Sequence, residues 1–311
     1  MNAVRRLGAA VALAALSCAS PPPESCSTPV ERAVGYLARE VPLWPVKNKC
    51  FSCHNNGDAA RALVAARRSG ILFHPAALEA TGRWLRSPDE WNCNGPQVEY
   101  SDKKLATLQF AHALAAAAEA GEPRTDAALR YAAGLVRDLQ EADGSWVVDA
   151  GGLPGSPVTY GKVLATVVAR RIFITADRLV FADAIDRADQ WLSLRKPVAV
   201  YEAAALLYGG KGDPDHVLKV FRDGITGDGG WGPYVTSPPE IFDTALVLLG
   251  LSAHRNRPDA AEMIRRGREF LIRSQQPDGS WPETTRPPGA DSYAQRISTT
   301  GWALLALLAN P

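Results

Sequence analysis

The chain has 311 residues, of which 46% are hydrophobic and 22% are charged, and its formal net charge is +1. These values are typical of a globular protein with one large domain or two modest ones. The sequence has no long run of one charge sign. The charge pattern therefore gives no electrostatic case for binding nucleic acid or an anionic membrane surface.

The first residues have the pattern of a bacterial export signal. Two arginines precede an apolar stretch over 7–17 that is too short to span a bilayer. We predict a signal peptide over 1–18 and a Pro/Ser-rich tether over 19–28. Cys18 lies where a bacterial lipoprotein is acylated, and simple cleavage near this residue is the alternative. The sequence thus predicts a periplasmic protein, or an outer-membrane lipoprotein whose only membrane attachment is a lipid on Cys18.

From residue 29 to the end, the hydrophobic pattern is helical and predicts a single domain over 29–311. The first helix of each predicted pair is amphipathic, and the second is apolar around most of its circumference. This alternation predicts an all-α fold, an α/α toroid in which six inner helices are surrounded by six outer ones. In chain order the predicted pairs cover 29–39 and 58–70, 75–86 and 101–120, 124–141 and 158–174, 177–194 and 198–208, 214–223 and 240–254, and 258–275 and 297–309.

A short motif with Gly and Trp recurs between the two helices of a pair. DGSW occurs at 143–146 and 278–281, and DGGW occurs at 228–231. We expect each glycine to adopt positive φ and each indole N–H to bond a backbone carbonyl. Gln275 is expected to bridge backbone groups that are free at the helix end. The motif is therefore interpreted as a structural clasp between helix pairs.

The longest copy, RGREFLIRSQQPDGSW over 266–281, resembles the full QW repeat of the squalene–hopene cyclase and prenyltransferase-repeat superfamily. Shorter copies end at Trp146 and Trp231. The resemblance implies an α/α toroid from about residue 30 to the end of the chain. It does not decide the function, because such a fold hosts several chemistries.

In triterpene cyclases of that superfamily, an inner helix opens with Asp-x-Asp-Asp-Thr-Ala, and the central Asp protonates the polyene. The matching stretch here is EIFDTA over 240–245. The resemblance places Phe242 at the proton donor's position, and a phenyl ring cannot donate a proton. We therefore predict that the protein is not a competent polyene cyclase. Asp243 and Glu240 remain the catalytic candidates of a divergent terpene cyclase (an isomerase) or a lyase, which would use Asp243 or Glu202 with another acid.

Aromatic, hydroxyl and acidic residues recur at the predicted starts of the inner helices. If those starts are aligned, the residues surround one mouth of the ring and form a funnel for an elongated apolar or glycan ligand. The alternative is that each one is a helix cap or a core residue. The predicted binding residues are Tyr100, Asp102, Tyr160, Tyr201, Glu202, Phe242, Thr299 and Trp302.

Cys50-x-x-Cys53-His54 has the form of a haem c attachment site. In such a site two thiols bond the haem and the histidine becomes an axial iron ligand. A local disulfide between Cys50 and Cys53 is one alternative. A metal site formed by Cys50, Cys53, His54 and Cys93 is another. Haem c is thus the one cofactor that the sequence suggests.

Taken together, these patterns predict an exported toroid that binds a small molecule or polymer in a central funnel without cyclase chemistry. A c-type haem redox protein on a toroid scaffold is the first alternative. A divergent cyclase or lyase is the second.

Overall fold

The computed structural model describes residues 27–95, 103–148, 154–286, 289 and 292–311. Within these ranges the regular elements are all helical, with no β-strand. A π-helix, Cys53–Ala59, runs directly into the second α-helix. The α-helices are α1 (Pro29–Asn48), α2 (Ala60–Arg68), α3 (Ala76–Leu85), α4 (Lys103–Glu119), α5 (Asp126–Arg137), α6 (Gly161–Asp177), α7 (Ala182–Ser193), α8 (Val200–Tyr208), α9 (Pro214–Gly224), α10 (Ile241–Leu251), α11 (Pro258–Ser274) and α12 (Tyr293–Ala309).

The helices form six hairpins, each with an outer helix followed by an inner one. The inner ring consists of the π-helix with α2, then α4, α6, α8, α10 and α12, and each member packs against the next. The ring closes because α12 packs against the π-helix and α2 as well as against α10. The predicted all-α toroid with six hairpins is therefore confirmed.

The burial of the two rings follows from their sequences. In α12 every residue from Ile297 to Leu307 is buried, and α10 is buried along almost its whole length. The outer helix α11 buries only five of its residues, and its arginines Arg265 and Arg273 are exposed. A helix surrounded on all sides can be apolar on every face, whereas an outer helix needs one polar face for water.

The three Gly-Trp motifs form the predicted clasps. Each tryptophan is fully buried, and its indole N–H donates to a backbone carbonyl ten residues earlier at 2.7–2.8 Å. Its backbone N–H donates to a threonine hydroxyl on the following inner helix. The indole acceptors are Val136, Phe221 and Leu271, and the threonines are Thr166, Thr244 and Thr300. Replacing such a tryptophan with alanine typically costs about 3–5 kcal/mol.

The last clasp also joins the two ends of the chain. Gly279 has φ of 93°, and a Cβ atom there would collide with the carbonyl oxygen of Arg32 in α1. The Gln275 amide donates to the carbonyls of Pro29 and Gly279 at 2.8 and 3.0 Å. The predicted bridging role of Gln275 is confirmed, and its partner is the first outer helix.

The first hairpin differs from its prediction. α1 continues through Pro42 and Pro45 to Asn48, beyond the predicted end at 39. Pro45 has no N–H to bond the carbonyl of Val41, but the Asn56 side chain donates to that oxygen at 3.1 Å. This substitute donor lets the helix pass the proline, and the inner segment accordingly begins at Cys53 rather than at 58.

The predicted signal peptide, Cys18, and the tether up to residue 26 lie outside the described residues. Thr28, at the end of the predicted tether, caps α1 by accepting a hydrogen bond from the backbone N–H of Glu31. Among the helices that the structure describes, none combines the length and the apolar character needed to cross a membrane.

Candidate functional site

All six inner helices line one cavity of about 360 Å³, which we call the axial cavity. Its lining comes from the C-terminal halves of these helices. It includes the exposed residues Arg68 and Ser69, so the cavity opens to solvent at that end of the ring. One lining residue from each helix, in chain order, is Val64, His112, Arg171, Tyr208, Leu249 and Leu305.

The axial cavity is apolar along its wall and positively charged overall. Its lining contains three arginines (Arg61, Arg68 and Arg171) and a single glutamate, Glu119. Arg171 binds the Glu119 carboxylate at 2.6 Å and the Tyr208 hydroxyl at 3.1 Å. The glutamate is therefore neutralised by one arginine, and two further positive charges remain.

Arg61 lies in the first turn of α2 and is 4% exposed. Its guanidinium lies over the indole of Trp302, 4.3 Å from the ring centroid, which is a favourable cation–π distance. His112 on the neighbouring helix α4 lines the same cavity and is 1% exposed. Burial, with smaller contributions from Arg61 and Arg171, holds the pKa of His112 well below its usual value. Its imidazole is consequently neutral at physiological pH.

Asp58, one helical turn before Arg61, is a hydrogen-bond hub for the inner ring. Its carboxylate accepts hydrogen bonds from the Tyr160 hydroxyl, from Gln109 at 2.9 Å and from the Trp302 indole at 3.2 Å. Burial raises the pKa of Asp58, while Arg61 and these hydrogen bonds act against that increase. The Asp58 hub joins four of the six hairpins: the first, second, third and sixth. It therefore includes the contact between the first and last hairpins that closes the ring.

The residues predicted to line a funnel at the helix starts are placed differently. Tyr160, Phe242, Thr299 and Trp302 are buried, each at most 2% exposed. The edges of Tyr160 and Phe242 meet the Trp302 ring at centroid distances of 5.7 and 5.5 Å. These aromatic rings fill the centre of the inner ring near the starts of its helices. The axial cavity therefore opens near the opposite ends of these helices.

The remaining predicted binding residues do not meet around a common site. Tyr201 and Glu202 are partly exposed in the first turn of α8, where the Tyr201 ring contacts Tyr234. Tyr100 and Asp102 lie outside the described residues. Thr299 accepts a hydrogen bond from the backbone N–H of Thr284 at 3.2 Å and is well inside α12, so it is not a helix cap.

The two catalytic candidates share an ion pair that sequence analysis did not anticipate. Arg286 binds the Asp243 carboxylate at 2.6 Å and also pairs with Glu240. Burial raises the pKa of Asp243 to about 7, against the lowering effect of Arg286. Asp243 is fully buried, and its second oxygen has no hydrogen-bond partner among the described residues.

The Cys50–His54 segment is packed as part of the scaffold. Both imidazole nitrogens of His54 lie 3.7–3.8 Å from the sulfur of Cys53, and Nδ1 is 3.3 Å from the Ser298 hydroxyl. Although His54 retains some exposure, burial of the imidazole lowers its pKa to about 4. The ring faces its own cysteine and α12, so these side chains do not present a haem-binding face in this arrangement. This packing argues against the predicted haem attachment, which needs a direct test.

The alternatives for the cysteines can be compared with the same geometry. Cys50 and Cys93 are free thiols, and Cys50 packs against the backbone at Gly95. In the part of the chain that the structure describes, no three His, Cys, Asp or Glu side chains are close enough to hold a metal ion. The set of Cys50, Cys53, His54 and Cys93 is therefore not assembled as a metal site.

A second, larger cavity of about 560 Å³ lies outside the inner ring, and we call it the lateral groove. Its wall comes from α2, α3 and α4 and from the turn after α4. Leu78 and Leu114 are among its apolar lining residues, and Arg83 and Arg86 are among its charged ones. No predicted site residue lines this groove.

Sequence analysis did not assign Asp58, Arg61, Gln109 or His112 to a functional site. Asp58 had been assigned to a helix start, where aspartate is common. The available signal was the stretch NNGDAAR over 55–61, whose polar side chains cannot face solvent in an inner helix and must therefore bond to each other or to a ligand.

Solved structures with a similar fold support the architecture, whereas no protein-family model and no curated protein sequence matches the chain. The apo type II terpene cyclase MstE from Scytonema is 14% identical with a TM-score of 0.50, over 90% of this chain and 98% of its own. A variant of MstE with its substrate, geranylgeranyl dihydroxybenzoate, is 13% identical with a TM-score of 0.52, over 90% of this chain and 97% of its own.

A glycosidase variant in complex with glucose is 12% identical with a TM-score of 0.55, over 89% of this chain and 96% of its own. At these identities the likeness extends to the fold alone. This chain is therefore an α/α toroid, with the fold that type II terpene cyclases and this glycosidase also have.

Proposed function

We propose that the protein binds a small, largely apolar ligand in the axial cavity. The observation that carries this proposal is that all six inner helices line one cavity of about 360 Å³. This volume is within the range of sites that hold small molecules. Val64, Leu249, Leu305 and Leu308 supply much of the wall, so burial of apolar ligand surface would drive binding.

The similar structures support a small-molecule ligand. One MstE structure contains geranylgeranyl dihydroxybenzoate, and the glycosidase structure contains glucose. The fold thus accommodates an apolar chain in one protein and a sugar in another. The leucine-rich wall of the axial cavity favours the apolar class for this protein.

We propose further that the protein is not a polyene cyclase. Protonation of an alkene needs an unusually strong acid that is held in place in a dry cavity. Phe242 stands where the resemblance places that acid, and its ring packs against Trp302. Asp243 next to it has a pKa of about 7 and is bound by Arg286. Both observations support loss of this chemistry.

A second candidate is a lyase or divergent cyclase that uses Asp243 as its acid. The observation that favours it is the buried Asp243 oxygen without a hydrogen-bond partner. A carboxyl group with a pKa of about 7 is also suited to proton transfer near neutral pH. Incubation with squalene tests the cyclase form of this candidate: cyclic products from the wild type that are absent with Asp243→Asn would establish it.

Binding to the axial cavity is tested with a neutral apolar fluorophore, N-phenyl-1-naphthylamine, whose emission rises in an apolar site. Ala116→Trp places an indole in the axial cavity, and Gly82→Trp places one in the lateral groove. We expect saturable binding by the wild type and by Gly82→Trp, and at least about tenfold weaker binding by Ala116→Trp.

The two variants introduce the same tryptophan side chain, but in different cavities. Loss of binding in Gly82→Trp alone would place the site in the lateral groove and overturn the proposal. Unchanged binding in Ala116→Trp would overturn it as well. Circular dichroism of each variant establishes that the toroid has formed.

A further inference from the structure

The axial cavity contains a buried arginine whose hydrogen bonds are incomplete. The Nε and Nη2 atoms of Arg61 are buried and have no hydrogen-bond partner within the part of the chain that the structure describes. These two atoms form the edge of a guanidinium that binds a carboxylate with two parallel hydrogen bonds. A buried donor without a partner costs about 1–3 kcal/mol, and more when it is charged, so a native structure rarely leaves this edge unused.

Asp58 does not satisfy this arginine, although it is the nearest acidic group. The closest approach between the two side chains, from Nη2 to a carboxylate oxygen, is 3.7 Å, beyond hydrogen-bond distance. The Asp58 oxygens already accept hydrogen bonds from Tyr160, Gln109 and Trp302. Asp58 therefore offsets part of the charge of Arg61 but does not complete its hydrogen bonds.

His112 adds a second incomplete group beside Arg61. Its Nδ1 atom is buried and has no hydrogen-bond partner among the described residues, and His112 lines the axial cavity together with Arg61. Glu119, the one acidic residue of the lining, is already bound by Arg171 and by the Thr175 hydroxyl. The described lining of the axial cavity thus supplies two unsatisfied polar groups and no protein anion to complete them.

We propose that Arg61 and His112 form the head-group site of the axial cavity and bind the anionic head of an amphipathic ligand. The inference rests on the proposed function and adds the ligand's chemical class: a small organic anion with a carboxylate or phosphate head and an apolar body. The head receives hydrogen bonds from Arg61 and from the neutral imidazole of His112. The body lies along Leu249, Leu305 and Leu308, which extend from the head-group site towards the open end of the cavity.

The head-group site is tested by calorimetric titration of the full chain with three ligands that share one chain: octanoate, octyl phosphate and 1-octanol. We expect one of the two anions to bind at least about tenfold more tightly than the alcohol, the difference that a charge-assisted hydrogen bond makes. The preferred anion identifies the head as carboxylate or phosphate. Equal affinities for the alcohol and both anions would overturn the assignment while leaving the axial cavity as an apolar site.

Substitutions locate the effect. Arg61→Gln is expected to reduce the affinity for the anions to that for 1-octanol, without changing the affinity for 1-octanol. His112→Phe is expected to reduce only the affinity for the anions. Arg68→Gln is the comparison variant: it removes an exposed arginine of the same lining, whose charge is more strongly screened by solvent, and should weaken anion binding less than Arg61→Gln does. A greater loss in Arg68→Gln than in Arg61→Gln would overturn the assignment.

Two outcomes separate this inference from the proposed function. If Arg61→Gln does not fold, two measurements still decide the question. One is the comparison of the anions with the alcohol in the wild type, and the other is the affinity of His112→Phe for the anions. If no octyl compound binds, and Ala116→Trp and the wild type also bind N-phenyl-1-naphthylamine equally, the proposed function itself fails.

Discussion

Arg32 in the first outer helix donates a hydrogen bond of 2.6 Å to the side-chain oxygen of Gln275, 243 residues later in the chain. The same Gln275 amide donates to the carbonyl of Pro29, and Gly279 lies directly against the carbonyl of Arg32. A motif that clasps neighbouring hairpins elsewhere in the ring therefore also closes it. No end of the inner ring is left open, so capping repeats of the kind that an open solenoid requires are unnecessary.

Gly279→Ala is expected to destabilise the protein by several kcal/mol, because the new Cβ would overlap the Arg32 carbonyl and the backbone would keep a positive φ. Gly121→Ala is the control, since Gly121 also has a positive φ but has open space around it. The control should lose only about 1–2 kcal/mol from the left-handed conformation. Urea unfolding measures both, and equal losses would show that the contact with Arg32 does not stabilise the ring.

The Asp58 hub gives a second prediction. Tyr160 has φ of 61°, a left-handed conformation that a bulky residue adopts only when its contacts hold it there. Tyr160→Phe removes one donor to a fully buried carboxylate and should lower the free energy of unfolding by about 1–3 kcal/mol. Tyr131→Phe is the control, because Tyr131 is 54% exposed and its replacement should change stability by less than about 0.5 kcal/mol. Similar values for the two variants in urea unfolding would contradict the hub.

The architecture could be predicted because its signals are local. The Gly and Trp residues of each clasp lie within one short segment, and the alternation of amphipathic and apolar helices is visible along the chain. Pro42 and Pro45 misled the prediction of α1, because the donor that replaces a missing N–H comes from Asn56, in another element. Helix ends set by such long-range contacts cannot be read from local preference.

The candidate site could be predicted only in part, for the same reason. Arg61 and His112 come from different hairpins and belong to no repeated motif, so their proximity depends on the packing of α2 against α4. Of the aromatic residues that were predicted to surround one mouth of the ring, Tyr160 and Phe242 do meet at Trp302, whereas Tyr201 contacts Tyr234 instead. The size of those rings decides their role: they fill the narrow centre rather than line an opening there.

The burial of Asp243 predicts a change in the pH dependence of stability. Burial raises the pKa of Asp243 from an ordinary value of 3.8 to about 7, so the folded protein holds a proton that the unfolded chain releases between those pH values. The contribution of Asp243 to the free energy of unfolding therefore falls as the pH rises from about 4 to 7 and is constant above that. Asp243→Asn removes this contribution.

His54 and His112 have pKa values lowered by burial, and their contributions change in the opposite direction over part of this interval. The informative quantity is therefore the difference in the free energy of unfolding between the wild type and Asp243→Asn, measured by thermal unfolding at several pH values. We expect the free energy of unfolding of the variant, minus that of the wild type, to rise from pH 4 to pH 7. A difference that is constant across this range would show that Arg286 holds the pKa of Asp243 near its ordinary value, against burial and the neighbouring Glu240, which both raise it.

The packing of the Cys50–His54 segment predicts that the protein carries no covalent haem. Attachment would require His54 to turn away from Ser298 and Cys53, which lie 3.3 and 3.7–3.8 Å from its imidazole nitrogens. Expression with an export pathway and haem-maturation factors, followed by intact mass spectrometry and a pyridine haemochrome spectrum, tests this directly. We expect a colourless protein with the mass of the polypeptide alone, apart from any lipid on Cys18. A red protein whose mass includes haem, and which becomes colourless in Cys50→Ser, would instead establish the haem c interpretation and require this segment to rearrange.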